Sequence, residues 1–297
     1  MAESHKGSAA GEQEQLSRDL TTCTVAPENP IQINQIQHRL HLLTTWFGSF
    51  EKAKNALAGK TVVEIGCGQG DMTVALAYMV SGAGSQPAAE GKVLAIDPAP
   101  LDYGGPYTLG QSQGALTASR LGPYIEWIAK DPVDVLSSFA QKPDYIVLAH
   151  CLFYLPSADY LSTLLRSCKA AAARGTKLLL AEWGMRASHE AAEAHVLAVK
   201  VQIESPKAGG NVRTVLEPEA LKTCLKGADW RLEREDWIDS PEKMDDGKWE
   251  VVMTRKQFAE KSPGGIIGDY LKKMEEAAER ASGVLRSMDV WTSVSVV

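Results

Sequence analysis

The stretch VVEIGCGQGD, Val62 to Asp71, constrains this chain more than any other. Val62 to Ile65 reads as a buried strand, and the glycines Gly66, Gly68 and Gly70 that follow can extend neither a strand nor a helix interior. Beyond them Met72, Ala75, Leu76, Met79 and Val80 recur at helical spacing. Strand, glycine turn and helix together form a ligand-holding corner of an α/β sheet. In a dinucleotide fold that corner reads Gly-x-Gly-x-x-Gly, and the helix N-terminus favours a pyrophosphate. Here the sixth position is Asp71. A carboxylate there is expected to cap the helix N–H groups itself and to repel phosphate. The turn therefore favours a phosphate-free, cationic adenosyl ligand that tolerates a neighbouring acid such as Glu64, and it weighs against a nicotinamide-dependent oxidoreductase.

After Gly59 short apolar runs alternate with helical segments, which predicts a mostly parallel sheet. Strands are expected at 61–65, 92–96, 124–128, 144–149 and 177–182, a sixth at 230–238, and a last one in VWTSVSVV beside the sixth. Helices are expected to begin near Asp71, Ser112, Val133 and Ala158, with helical segments at 248–260 and 268–287 before the last strand. Ile33, Ile36, Leu40, Leu43, Phe47 and Phe50 mark an amphipathic N-terminal helix whose other face carries Gln32, Gln35, Gln37, Arg39 and Thr44. Residues 1–28, polar and rich in Gly, Ser, Ala, Glu and Gln, are expected to be a disordered leader, with one domain over 29–297. The connection SGAGSQPAAEG is expected to be an exposed inserted loop.

Net charge of −6 offers no electrostatic footprint for nucleic acid, and no run of about 18 apolar residues exists to span a bilayer. The five cysteines are scattered without a CxxC pair, so they read as reduced thiols rather than disulfides or zinc ligands. These features set the expectation of a cytoplasmic protein acting on a small molecule, without a metal and with oligomeric state open.

Glu64-Ile65-Gly66-Cys67-Gly68-Gln69-Gly70 resembles the first motif of class I S-adenosylmethionine-dependent methyltransferases, an acid followed by three alternating glycines. The likeness covers roughly residues 59–182. It implies a Rossmann-like seven-stranded sheet, with the N-terminal helix as a lid and a helical insertion before the last strand. It also implies S-adenosylmethionine as cofactor, held by Glu64, Gly66, Cys67, Gly68, Gly70, Asp97, Asp131 and His150. Asp97, at the end of KVLAIDP, stands where the family's ribose acid stands, and a carboxylate there accepts from both hydroxyls. Asp131 is either the family's adenine partner or a helix N-cap before Pro132. Glu64 either faces the methionine end of the ligand or holds turn amides.

Ligands in open α/β sheets gather at the carboxyl ends of strands, so acceptor chemistry is sought at the ends of strands four and five. There VLAHCLFY offers His150, Cys151 and Tyr154, and LLLAEWGM offers Glu182 and Trp183, expected to be exposed. His150, Tyr154 and Glu182 are the catalytic candidates. His150 is either a general base or a neutral imidazole bonded to backbone or cofactor. Cys151 reads as packing, because methyl transfer goes directly to the acceptor and needs no covalent enzyme. Arg213 in GGNVRTVL either clamps a carboxylate or pairs with a surface acid. The expected activity is direct SN2 methyl transfer to a small molecule. The alternative is cyclisation or cleavage of the same cofactor with release of methylthioadenosine.

Overall fold

A computed structural model of the chain describes residues 2–82, 90–207 and 209–297. The body is a seven-stranded sheet of β1 (Thr61–Ile65), β2 (Lys92–Ile96), β3 (Ile125–Ile128), β4 (Tyr145–Ala149), β5 (Lys177–Trp183), β6 (Arg231–Ile238) and β7 (Val290–Val296). Their order across the sheet is β3-β2-β1-β4-β5-β7-β6. The first five are parallel, and β7 runs antiparallel between β5 and β6. The predicted fold class is observed, with β7 beside β6 as expected and also inserted next to β5. Because β1 is followed outward by β2 and β3 while β4 returns to its other side, the order reverses between β1 and β4, and a ligand crevice opens at that switch point.

Among the described residues the helices are α1 (Ala2–Thr21), α2 (Pro30–Phe47), α3 (Phe50–Leu57), α4 (Asp71–Val80), α5 (Leu109–Ala118), α6 (Pro132–Val135), α7 (Ala158–Ala171), α8 (Glu193–Glu204), α9 (Pro218–Gly227), α10 (Asp246–Phe258) and α11 (Gly265–Arg280). None is long and apolar enough to cross a membrane. Strand alternation divides the core. Val62 and Val147 pack with Leu40, Leu43, Val74 and Leu76 on one face. Val63, Ile65, Ile146 and Leu148 pack with Leu161, Leu164 and Leu165 on the other. A smaller apolar cluster joins α8 to α10 and α11 through Leu197, Ala198, Val251, Met274 and Ala277. The period of two places Glu64 on the α2 and α4 face, a buried acid among apolar neighbours.

Three expectations about the N-terminal half are corrected. The supposed leader contains α1, whose C-terminal turn buries Ser17, Leu20 and Thr21, with Cys23 buried just beyond it. Polar composition concealed it, since only one face near its end needs to be apolar to dock on α2. The amphipathic helix through Phe50 is two helices, broken at left-handed Gly48 (φ 79°), after which Ser49 accepts from Lys52 N to cap α3. The inward face of α2 also carries polar residues: Gln35, His38 and Arg39 are buried along with Ile36, Leu40 and Leu43. Helices α8 and α9 were not anticipated. Most of the SGAGSQPAAEG connection lies outside the described residues.

Candidate functional site

Backbone geometry builds one half of the crevice. Gly66, Gly68 and Gly70 all have positive φ (72°, 51° and 97°). A Cβ on Gly66 would sit 2.5 Å from Cys151 Cβ, whereas one on Gly68 would meet nothing within 4 Å. Gly66 is thus required by packing against β4, and Gly68 leaves open the space a ligand needs. Asp97 spans the turn: Oδ2 accepts from Gly68 N and Oδ1 from Ala99 N, both at 2.9 Å. Beside it runs a cleft lined by Cys67, Asp97, Leu101, Trp127, Ile128 and Ala129. Asp131 lies just past β3 and serves as N-cap of α6, accepting from Val133 N at 2.8 Å and from the Tyr160 hydroxyl at 2.8 Å.

Glu64 lies behind this turn, buried and bonded to Thr73 Oγ1 at 2.6 Å. Burial raises its carboxyl to about 8; Thr73 and Arg39 oppose that rise, and Asp71 and Asp97 add to it. Asp71 does not cap α4 as expected, for Gly70 is the N-cap and no side chain satisfies it. Its Oδ1 instead accepts from Gln32 Nε2 on α2.

That bond is the first of three pins along one stripe of α2. Gln32 holds Asp71 at the start of α4, Gln35 Nε2 donates to Asp246 Oδ2 of α10 at 3.2 Å, and His38 Nε2 meets His150 Nε2 after β4 at 2.9 Å. Arg39 lies beside them, 8% exposed, with Nε and Nη1 lacking any partner. Spacings of three along a helix bring these residues to neighbouring places on one face. The helix therefore roofs the strand ends with its polar side.

His150 is held in a left-handed conformation (φ 54°) that a non-glycine residue adopts only under constraint. Its amide donates to Ala181 O at 2.9 Å, and its ring lies 4.4 Å from that of Trp183. Glu182 Oε1 is 3.6 Å from His150 Nδ1, too long for a hydrogen bond, so Nδ1 is buried without a hydrogen-bond partner while Nε2 is engaged by His38. Burial, with Arg39 adding to it, lowers His150 well below the usual imidazole range, so the ring is neutral. Glu182 and Trp183, expected at an exposed edge, are buried. The acid turns inward because it accepts from Leu152 N at 2.7 Å and Trp183 N at 2.9 Å, tying the ends of β4 and β5 together. Burial lifts its carboxyl to about 7, with the amides of Trp183, Leu152 and Phe153 and the charge of Arg39 opposing.

Tyr154 is half exposed at the rim; burial of the rest raises its hydroxyl, and the charges of Asp246 and Glu250 add to the rise. Across the rim the Tyr103 hydroxyl donates to Asn211 Oδ1 at 3.0 Å, so the two unusual loops meet. Arg213 turns back to Gly210 O at 2.9 Å. Burial pushes the Cys67 and Cys151 thiols up, which keeps them protonated and agrees with a packing role for Cys151.

A family model described as "Methyltransferase domain" matches residues 36–235, the greater part of the chain. The chain belongs to this methyltransferase family. Its curated relatives include "Methyltransferase phomM" and "Methyltransferase phomM'" of Diaporthe leptostromiformis. Each is 26% identical over an alignment of 283 residues that covers 77% of this chain and 71% of the relative. A crystal structure of a cyclopropane-fatty-acyl-phospholipid synthase-like protein from Lactobacillus casei superposes with a TM-score of 0.75. It is 27% identical and covers 96% of this chain and 100% of that one. Sheet order, glycine turn and family match together make this methyltransferase a class I, S-adenosylmethionine-dependent enzyme.

The site fits that cofactor. Open space at Gly68 suits its backbone-hugging portion, the unpartnered N–H groups of Arg39 suit a carboxylate, and Glu64, which forms no ion pair among the described residues, suits a positive charge. Sequence reasoning missed Asp246, which lies in neither strand end nor glycine turn. Its signal was indirect: a polar stripe on a helix that also needs an apolar one.

Proposed function

We propose that the methyltransferase moves the methyl group of S-adenosylmethionine directly to a small-molecule acceptor held beneath α2. The observation that carries this is the polar underside of α2, where Gln35, His38 and Arg39 are buried over the ends of β4 and β5. A roof of that kind encloses a small molecule and excludes water, whereas a polymer would need an open trough. When bound, the cofactor supplies a sulfonium-activated methyl group and leaves as S-adenosylhomocysteine.

The chain's own residues align and shield. Glu64, Gly66, Cys67, Gly68, Gly70 and Asp97 hold the cofactor: Asp97 takes the ribose hydroxyls, and Glu64 meets positive charge at the methionine end. Asp131 completes the adenine side from its place after β3, and Arg39 takes the carboxylate. His150, kept neutral and held at Nε2 by His38, lies where cofactor and acceptor meet and positions them by its fixed ring. Tyr154 guards the entrance.

Incubation with methyl-labelled cofactor and metabolite extracts tests the reading. Labelled acceptor together with S-adenosylhomocysteine is expected. Release of methylthioadenosine with no labelled acceptor would replace transfer by cyclisation or cleavage.

A further inference from the structure

The acceptor side carries a second polar feature that the cofactor does not require. Asp246 begins α10, and its Oδ2 is bonded to Gln35 Nε2 at 3.2 Å. That bond fixes the orientation of the Gln35 amide, since the reverse would set two acceptor oxygens against each other. Gln35 Oε1 is therefore the free end of that amide. It is buried, in a residue only 8% exposed, and has no donor. One turn along α10, Glu250 accepts from Gln202 Nε2 at 2.6 Å. Burial raises the Tyr154 hydroxyl, and the charges of Asp246 and Glu250 add to that rise. The free oxygen of buried Gln35 thus lies beside the part-buried Asp246, whose carboxylate accepts from Gln35 Nε2 and feels the charge of Arg39, and the Glu250 carboxylate follows one turn away. An amide oxygen left so costs free energy unless something carrying N–H groups fills the gap, and with Arg39 given to the cofactor carboxylate a cationic donor is what the neighbouring acids favour.

We propose that Asp246 and Gln35 anchor a protonated amine, so that the acceptor of this methyltransferase is a primary or secondary amine. The proposal rests on the methyl-transfer reading and names its substrate class. The ammonium donates to Asp246 and to Gln35 Oε1. For reaction one ammonium proton passes to the Asp246 carboxylate, whose proton affinity is already raised by burial. The freed nitrogen lone pair then forms the N–CH3 bond as the S–CH3 bond breaks. The bonding pair leaves on sulfur as a neutral thioether, and the positive charge ends on nitrogen.

The test uses the full chain. Affinity for S-adenosylhomocysteine is first measured by calorimetry. Methyl-labelled cofactor is then offered with a panel of alkyl and aryl amines, each matched by the alcohol and the carboxylate of the same skeleton. Label is expected in amines in preference to their matched partners. Asp246→Asn, which keeps side-chain shape, is expected to raise KM for the best amine at least tenfold and to leave S-adenosylhomocysteine affinity within about twofold. Gln35→Leu is expected to raise KM severalfold, with thermal unfolding reporting that each variant is folded. Preference for alcohols or carboxylates overturns the amine assignment. So does failure of every amine with an enzyme that binds S-adenosylhomocysteine, or an Asp246→Asn variant with unchanged KM. Loss of S-adenosylhomocysteine affinity in Asp246→Asn would assign Asp246 to the cofactor instead. Absence of S-adenosylhomocysteine binding in the wild-type chain would sink methyl transfer itself, and the amine proposal with it.

Discussion

The two halves of the crevice are made of different materials. Around β1 and β2 the surface offered to a ligand is backbone, three left-handed glycines spanned by Asp97, all within 32 residues of sequence from 66 to 97. Around β4 and β5 it is side chains from distant segments: Gln35 and His38 of α2, His150 and Trp183 at the strand ends, and Asp246 of α10. A backbone site binds what all members of a fold share, because substitutions elsewhere leave it intact. A side-chain site is free to change with the acceptor. The contrast implies that damage to the first half is severe and general, and that damage to the second is graded.

The largest effect is expected at the glycines, and two of them separate architecture from binding. Gly66→Ala adds a Cβ that overlaps Cys151 at 2.5 Å while holding a positive φ, and is expected to cost about 3 kcal/mol of stability. Gly68→Ala carries only the backbone penalty of about 1 kcal/mol, because nothing lies within 4 Å, yet it fills space meant for ligand. Denaturant unfolding should rank the variants in that order, while calorimetry with S-adenosylhomocysteine should find binding weakened at least tenfold in both. Normal affinity in folded Gly68→Ala would remove this turn from the ligand site.

Asp97→Ala comes next. Loss of a charged acceptor for two hydroxyls is expected to weaken S-adenosylhomocysteine at least tenfold, about 1.4 kcal/mol. Since Asp97 also accepts from Gly68 N and Ala99 N, Asp97→Asn separates its two duties. It keeps an oxygen for one partner and should fall between wild type and Ala. Equal affinities in all three would exclude the carboxylate from the site.

The same contrast decides what could be read in advance. Strand positions, the glycine turn and the place of Asp97 were legible because each depends on local spacing: a period of two for Val62 to Ile65, positive φ for the glycines, and an acid ending an apolar strand. Glu182 was misjudged because the sequence cannot tell that amides of Leu152 and Trp183 wait for it across the sheet. Asp71 was misjudged for a similar reason, since Gln32 competes successfully for its carboxylate. Asp246 was invisible, being one polar residue among many until α10 is folded against α2. Helix α1 escaped notice because its polar composition outweighs a short buried face.

Protonation gives a third test, aimed at Glu64 behind the backbone half. Its carboxyl is raised from 4.5 to about 8, so between those values the folded chain holds a proton that the unfolded chain has lost. The resulting stability is fully present below pH 4.5 and is lost as pH rises through 8. Buried His38, His150 and His195 have lowered values and act with the opposite sign, but only below about pH 6.5, the ordinary imidazole value. From pH 7 to 8 the unliganded chain should therefore lose about 1 kcal/mol through Glu64. Glu64→Gln should remove most of the slope in urea titrations, leaving the smaller share of the same sign from Glu182, raised to about 7. A slope identical in the two proteins would mean that Glu64 is ionised in the folded chain throughout.

The smallest effect is expected where the halves are joined. Gln32 is the pin between α2 and Asp71, at the mouth of the cofactor helix and away from the acceptor anchor at Gln35. Gln32→Ala removes a partly exposed hydrogen bond to a charged group and should cost about 1 kcal/mol or less of stability. If the roof is one rigid body, cofactor affinity and acceptor KM should shift together by a few-fold, because α2 loosens over both. If the helix is hinged, affinity for S-adenosylhomocysteine should fall alone, since the His38–His150 contact at 2.9 Å would still hold the acceptor end in place. Three pins at regular spacing on one uninterrupted helix from Pro30 to Phe47 favour the rigid case, so the joint shift is the expected result.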